Sequence, residues 1–134
     1  MKLNLKDLNP GVFFPFDEDK EDEGGVFIRL ANTEVIEEIN KKCTKKKVIF
    51  RRGQRHEVTE DDEARRSALL WKYVIFDWKG LEDEDGHEIP CNDDNKILLM
   101  RKSVKFSSFV GDCIEKLTEE VEVFEEGLEK NVLK

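Results

Sequence analysis

The sequence predicts an α+β fold: one or two N-terminal β-hairpins followed by a helix-dominated C-terminal part that closes with a long amphipathic helix. Three observations predict it. Short apolar runs rich in aromatic and β-branched residues fill positions 12–30 and are separated by turn-forming residues. From residue 59 onward the apolar positions recur at helical spacing. The 134 residues, the length of one ordinary domain, contain no internal repeat and no low-complexity linker. Hairpins and a first helix are expected within residues 1–58 of that single domain, and the helical part within 59–134.

The first hairpin is read from Val12-Phe13-Phe14 and Val26-Phe27-Ile28-Arg29-Leu30. Between them Asp17 to Glu23 holds six acids and one lysine, and Gly24-Gly25 supplies a flexible return. Pro10 and Pro15 flank the first run, which suits an edge strand, because proline cannot donate to a ladder. A helix then starts at Asn32 or Thr33 and carries the stripe Val35, Ile36, Ile39 and Cys43. Val48-Ile49-Phe50, Gly53-Gln54 and His56-Glu57-Val58 form the second hairpin, with Gly53 at its turn.

Thr59, with Asp62 three residues on, is expected to open the next helix. Its residues Ala64, Ala68, Leu69, Trp71, Tyr73, Val74, Ile75 and Trp78 are apolar almost all round, so it is expected to be central and buried, and to end at Gly80 in a left-handed conformation. Trp78 is assigned to the core and Asp77 to the turn at the helix end. Leu81 to Pro90 is an acidic turn region, Asn92 caps a short helix from Asp93 to Met100 with Ile97, Leu98 and Met100 on its apolar face, and Ser103 caps the last one. There Phe106, Val110, Cys113, Leu117, Val121, Phe124 and Leu128 are spaced by 4, 3, 4, 4, 3 and 4 residues, a sustained helical stripe.

Charge narrows the function classes. Of all residues 40% are charged, with 31 acidic and 23 basic groups giving a net of −8. The distribution is uneven: eight basic residues and no acid lie between Lys41 and Arg55, leaving the other 119 residues at a net of −16. Nucleic acid and anionic membranes repel such a body. No run approaches the roughly 18 apolar residues of a spanning helix, and Met1-Lys2-Leu3-Asn4 opens no signal peptide, so a soluble cytosolic chain is expected. Three cysteines, Cys43, Cys91 and Cys113, with no CxxC pair, suit free thiols in a reducing compartment.

Catalytic motifs are missing: no nucleophile elbow, no cysteine signature and no phosphate-binding glycine loop occurs. A zinc set of Cys43, His56, His87 and Cys91 draws on three separate elements, and only H-x3-C has a ligand spacing. Asp83-Glu84-Asp85-Gly86 lacks the first oxygen ligand and the last glutamate of a calcium loop, since Leu81 and Asn92 stand there. No catalytic residue, cofactor or metal is therefore expected. Phe50 is the one aromatic of the basic segment, too few for a stacking platform, so the segment is read as complementing an acidic surface. Partner contact is assigned to Val121, Phe124 and Leu128 on the last helix, where the stripe outruns a small core, and to Lys45, Lys46, Arg51 and Arg52 on the basic hairpin. The last helix is also the candidate for pairing with a second copy of the chain.

Several segments carry a resemblance: the Gly-Val-Phe-Phe run, Gly24-Gly25-Val26-Phe27-Ile28-Arg29-Leu30, Val74-Ile75-Phe76-Asp77-Trp78-Lys79-Gly80, Asp85-Gly86, Ile89-Pro90-Cys91-Asn92, Asn95-Lys96-Ile97-Leu98-Leu99-Met100 and Glu129-Lys130-Asn131. Over roughly Val12 to Asn131 the chain resembles the tail assembly chaperones of tailed phages and prophages. The resemblance implies a non-enzymatic protein of the host cytoplasm that coats the tape measure protein, helps bring tail tube protein to it, and is absent from the finished virion. In many phages a frameshift adds a longer form. It implies no catalytic residue, and a mostly helical fold, against which the two hairpins stand out. Two other classes are open: a structural tail tube or head–tail joining subunit, which strands should dominate, and a small metal-dependent enzyme.

Overall fold

The computed structural model describes the backbone of residues 1–132 and the side chains as far as Val121. Its organising contact is a three-stranded antiparallel sheet covered on one face by the last helix. Strand β1 (Val12–Pro15) is an edge, β2 (Gly25–Ile28) the centre and β5 (Ile75–Lys79) the other edge. The prolines explain the place of β1, as the sequence suggested. The acidic loop between β1 and β2 contains one 3₁₀ turn, Glu21–Glu23.

Strand β5 corrects the sequence reading. The helix expected to run from Thr59 to Gly80 is a shorter one, α2 (Glu63–Val74), and the chain leaves it directly into β5. The mistake has a physical origin. Val26 pairs with Trp78, Phe27 with Asp77 and Ile28 with Ile75, so Phe76 is an extra residue opposite the Phe27–Ile28 step. That bulge puts Ile75 and Trp78, three residues apart, on one face of the sheet, a spacing that imitates a helix. Trp78 is core as expected, but Asp77 lies within the strand and accepts a bond from the Trp78 N–H (2.8 Å). Nor is α2 a central buried helix: Leu70 is exposed and Leu69 and Trp71 half-buried.

The start of α2 also moves. Thr59 belongs to a strand and Asp62 is the cap, its carboxylate accepting from the Arg65 N–H at 3.0 Å. The second hairpin, β3 (Thr44–Arg51) and β4 (Gln54–Asp61), is therefore longer than its apolar run indicated. It grows straight out of α1 (Thr33–Cys43) and is closed at its base by the Asp62 N–H donating to the Cys43 carbonyl (2.8 Å). Arg66 clamps this base, binding Glu63, Asp61 (3.3 Å) and, through Nε, Asn40 (3.1 Å), so one guanidinium ties α1, β4 and α2. In α1 the stripe is confirmed at its C-terminal end, with Ile39 and Cys43 buried, while Ile36 is exposed.

Helices α3 (Asp93–Lys102) and α4 (Val104–Val132) start where their caps predicted: Asn92 accepts from the Asn95 N–H (2.8 Å) and Ser103 from the Phe106 N–H (3.1 Å). On α3, Leu98 points to solvent, and Lys96 is buried instead, its ammonium donating to the Lys72 carbonyl (3.2 Å) at the end of α2. Along α4, Phe106, Val110, Cys113 and Leu117 are buried against Val26, Ile28, Ile75 and Trp78. Phe106 meets Trp78 edge-on with ring centroids 5.6 Å apart.

Two glycines let β2 and β5 close at one end. Gly80 is left-handed (φ 69°), as expected, but it ends a strand rather than a helix. A Cβ there would lie 2.0 Å from the Glu23 carbonyl oxygen, and one on Gly24 2.4 Å from that of Lys79. Gly86, with φ 80°, has open space around its Cα. Gly80→Ala should therefore cost about 3 kcal/mol or more, against about 1 kcal/mol for Gly86→Ala, where only the backbone conformation is unfavourable. Denaturant unfolding of the two variants checks this, and equal losses would show that the Gly24–Gly80 approach is not a constraint.

Candidate functional site

The basic hairpin is the most exposed element of the described residues. Every residue of β4 is exposed, and of β3 only Thr44 and Ile49 are half-buried. The ladder register sorts its charges. At the base Lys45 faces Glu60, with Lys46 opposite Thr59. At the tip Phe50 faces Arg55 and Arg51 faces Gln54, while Arg52 and Gly53 form the turn. Lys45, Lys46 and Lys47 form no ion pair among the described residues, and neither do Arg51, Arg52 and Arg55. The difference is that the base has Glu57, Glu60 and Asp61 on the facing strand, while the tip has no acid. The side chain of Phe50, 73% exposed, shares its face of the hairpin with Arg55, while Arg51 next to it in the strand faces the other side.

The turn is strained. Both central residues have positive φ, Arg52 at 53° and Gly53 at 76°, which is the two-residue type I′ form. Among the described residues Arg52 is the one non-glycine in that region, where a side chain costs about 1 kcal/mol.

Of the residues assigned to partner contact on the last helix, Val121 is 42% exposed, one turn beyond Leu117 at 9%. Phe124 and Leu128 lie outside the described side chains. Lys45, Lys46, Arg51 and Arg52 share the hairpin, spread over its two faces and tip.

The structure adds a surface that the sequence reading missed. Phe16, Leu81, Ile89, Leu99, Phe106 and Phe109 line an open groove of about 520 Å³ beside the start of α4, with Glu82, Ser103 and Lys105 on its margin. Phe16 and Phe109 touch, ring centroids 5.2 Å apart. Trp78 shapes one wall by donating its indole N–H to the Ile89 carbonyl (2.7 Å). Four separate stretches of chain supply the lining, so no spacing announced it. The available signal was Phe109, an apolar residue beside the main stripe of α4.

Two acidic loops border this groove. One follows Phe16 and is Asp17 to Glu23; the other, Leu81 to Pro90, carries five acids and no lysine or arginine. Within the latter, Glu82 and Glu88 are direct cross-strand partners, an arrangement that like charges destabilise. Asp83 accepts from the N–H groups of Asp85 (3.0 Å) and His87 (2.9 Å), which forms the Asp-Gly turn expected there.

The zinc set of Cys43, His56, His87 and Cys91 is not brought together. Cys43 is buried at the end of α1, His56 lies on the hairpin and His87 is exposed on the acidic loop. Among the described residues, Asp83, Asp85 and His87 are the group whose ligand atoms fall within 4.8 Å of one another, all exposed. Burial pushes the Cys91 thiol up and, opposed by Lys116 and aided by Asp112, pushes Cys113 up to about 11. Both are thiols at neutral pH, the unreactive form.

These features define a small α+β protein with a cationic hairpin, an apolar groove between acidic loops, and a last helix whose stripe is exposed at Val121. The chain belongs to the YdaY prophage protein family, whose family model matches residues 31–131. No curated protein and no solved structure matches it. The match gives a prophage protein and leaves its role in the phage open. Among the described residues no helix is long and apolar enough to cross a membrane.

Two measurements test this description. Arg52→Asn creates the Asn-Gly pair that a type I′ turn favours and should relieve about 0.5–1 kcal/mol of strain, slowing hydrogen exchange of the β3–β4 amides about two- to five-fold; unchanged exchange would rule out strain at the tip. Because the folded state holds the Cys113 proton to about 11 and the unfolded thiol releases it near 9.0, this stabilising contribution is complete below pH 9 and is lost as pH rises toward 11. Unfolding midpoints between pH 8 and 11 should therefore fall more steeply for the native chain than for Cys113→Ala.

Proposed function

We propose that this prophage protein is a non-enzymatic tail assembly chaperone. It acts in the host cytoplasm, binds the tape measure protein through the last helix, helps bring tail tube protein to it, and is left out of the finished virion. The observation that supports this reading is the change along α4. From Phe106 to Leu117 the stripe is consumed by the sheet, yet one turn later Val121 is 42% exposed, and the helix continues to Val132. Its 29 residues span about 43 Å, longer than the sheet it covers. An apolar stripe that outlasts its own core suits binding to another amphipathic helix, the form expected of a long, aggregation-prone tape measure protein. The resemblance to tail assembly chaperones points the same way, and the prophage family to which the chain belongs is compatible with that role. A charge content of 40% would keep such a complex in solution.

Co-expression with the tape measure protein of the same prophage tests the proposal. The soluble fraction of the tape measure protein should rise several-fold. Val121→Asp combined with Phe124→Asp should abolish the gain, and Val121→Asp alone should weaken it while leaving thermal unfolding within about 2 °C of the native chain, since Val121 lies on an exposed surface. No gain with the native chain would refute the chaperone reading.

A further inference from the structure

The hairpin tip and the groove are complementary, and every copy of the chain carries both. We propose that they bind each other between copies, the tip of one molecule seating Phe50 in the groove of the next. Charge supports the match. The tip, residues 50–55, carries three arginines and no acid, while the two loops beside the groove hold eleven acids and one lysine. Among the described residues Arg51, Arg52 and Arg55 have no ion-pair partner, and neither do Glu82, Glu84, Asp85 and Glu88. The cross-strand Glu82–Glu88 pair is an internal repulsion that a neighbouring guanidinium relieves.

Shape and polarity support it as well. Phe50 is the most exposed aromatic among the described residues at 73%, and a two-stranded hairpin whose residues are nearly all exposed is marginal by itself. The groove presents the rings of Phe16, Phe106 and Phe109, to which a fourth ring adds edge and offset contacts. Lys105 at its margin is the one opposing charge among the lining residues. Within one molecule the hairpin stays apart from the groove: it packs on α1, and its residues keep their exposure.

Tip and groove are different surfaces, so the contact is head-to-tail and propagates into a ring or a chain of subunits rather than stopping at a symmetric pair. The strained Arg52 fits this use, holding a charged residue where Asn or Gly would make the steadier turn. The assembly needs no client and is independent of the chaperone reading.

Sedimentation velocity of the full chain over a wide concentration range tests the proposal, using the exposed-site variants Phe50→Asp and, on the groove side, Glu82→Lys with Glu88→Lys. The native chain should associate with rising concentration and do so several-fold more weakly at 0.5 M than at 0.05 M salt. Each variant should raise the dissociation constant about 30-fold or more with unfolding unchanged. The decisive arm mixes them. Phe50→Asp retains its groove and the lysine variant its hairpin, so together they should form a one-to-one dimer that grows no further. A native chain that stays monomeric overturns the proposal. So does association that survives Phe50→Asp, which would place the contact elsewhere, for example on the last helix. Loss in Phe50→Asp alone, with the lysine variant unaffected, would mean hairpin-to-hairpin pairing and overturn it equally.

Discussion

The structure depends on one contact: the face of α4 formed by Phe106, Val110, Cys113 and Leu117 against the sheet face formed by Val26, Ile28, Ile75 and Trp78. A three-stranded sheet of four- and five-residue strands buries little by itself, and its edges stay open. The helix supplies the missing layer, and burial of these side chains, at roughly 1.5–3 kcal/mol for each large one, outweighs what propensity gives such short strands. The need for that contact explains the bulge at Phe76, without which Ile75 and Trp78 would face opposite sides. It also explains the Gly24–Gly80 approach, because the strands can align their core residues only if the backbones come close at that end.

The same contact has consequences away from the core. Because α4 is anchored through Phe106 and Val110, Phe109 beside them faces the acidic loops and becomes a wall of the groove. Because the sheet ends near Leu117, the apolar stripe of α4 loses its cover at Val121. The hairpin β3–β4 stands outside this arrangement. It is held by the Asp62–Cys43 bond and by Arg66 at its base, and among the described residues nothing in the core restrains its tip. A core built with few residues leaves a large share of the described chain on the surface.

Where local chemistry decides, the sequence was readable. Asn32, Asn92 and Ser103 cap helices that start within a residue or so of expectation, and Pro10 and Pro15 identify an edge strand. Where long-range pairing decides, it was not. Tyr73-Val74-Ile75-Phe76-Asp77-Trp78 satisfies a helical period and a bulged strand equally, and only the vacancy beside β2 selects the strand. Thr59-Glu60-Asp61 has no apolar alternation at all and is a strand because Lys46, Lys45 and Thr44 pair with it. The candidate site shows both cases: the positive charge of Arg51 and Arg52 was evident in the sequence, while the groove, assembled from Phe16, Leu81, Ile89, Leu99 and Phe109, had no signature along the chain.

The claim that α4 is divided between a core segment and a partner segment is tested most directly by hydrogen exchange of the chain alone and in complex with the tape measure protein. Added protection should begin after Leu117 and include Val121, with the amides from Phe106 to Leu117 already protected by the fold and unchanged. Protection gained only within the core segment, or none gained beyond Leu117, would contradict the account.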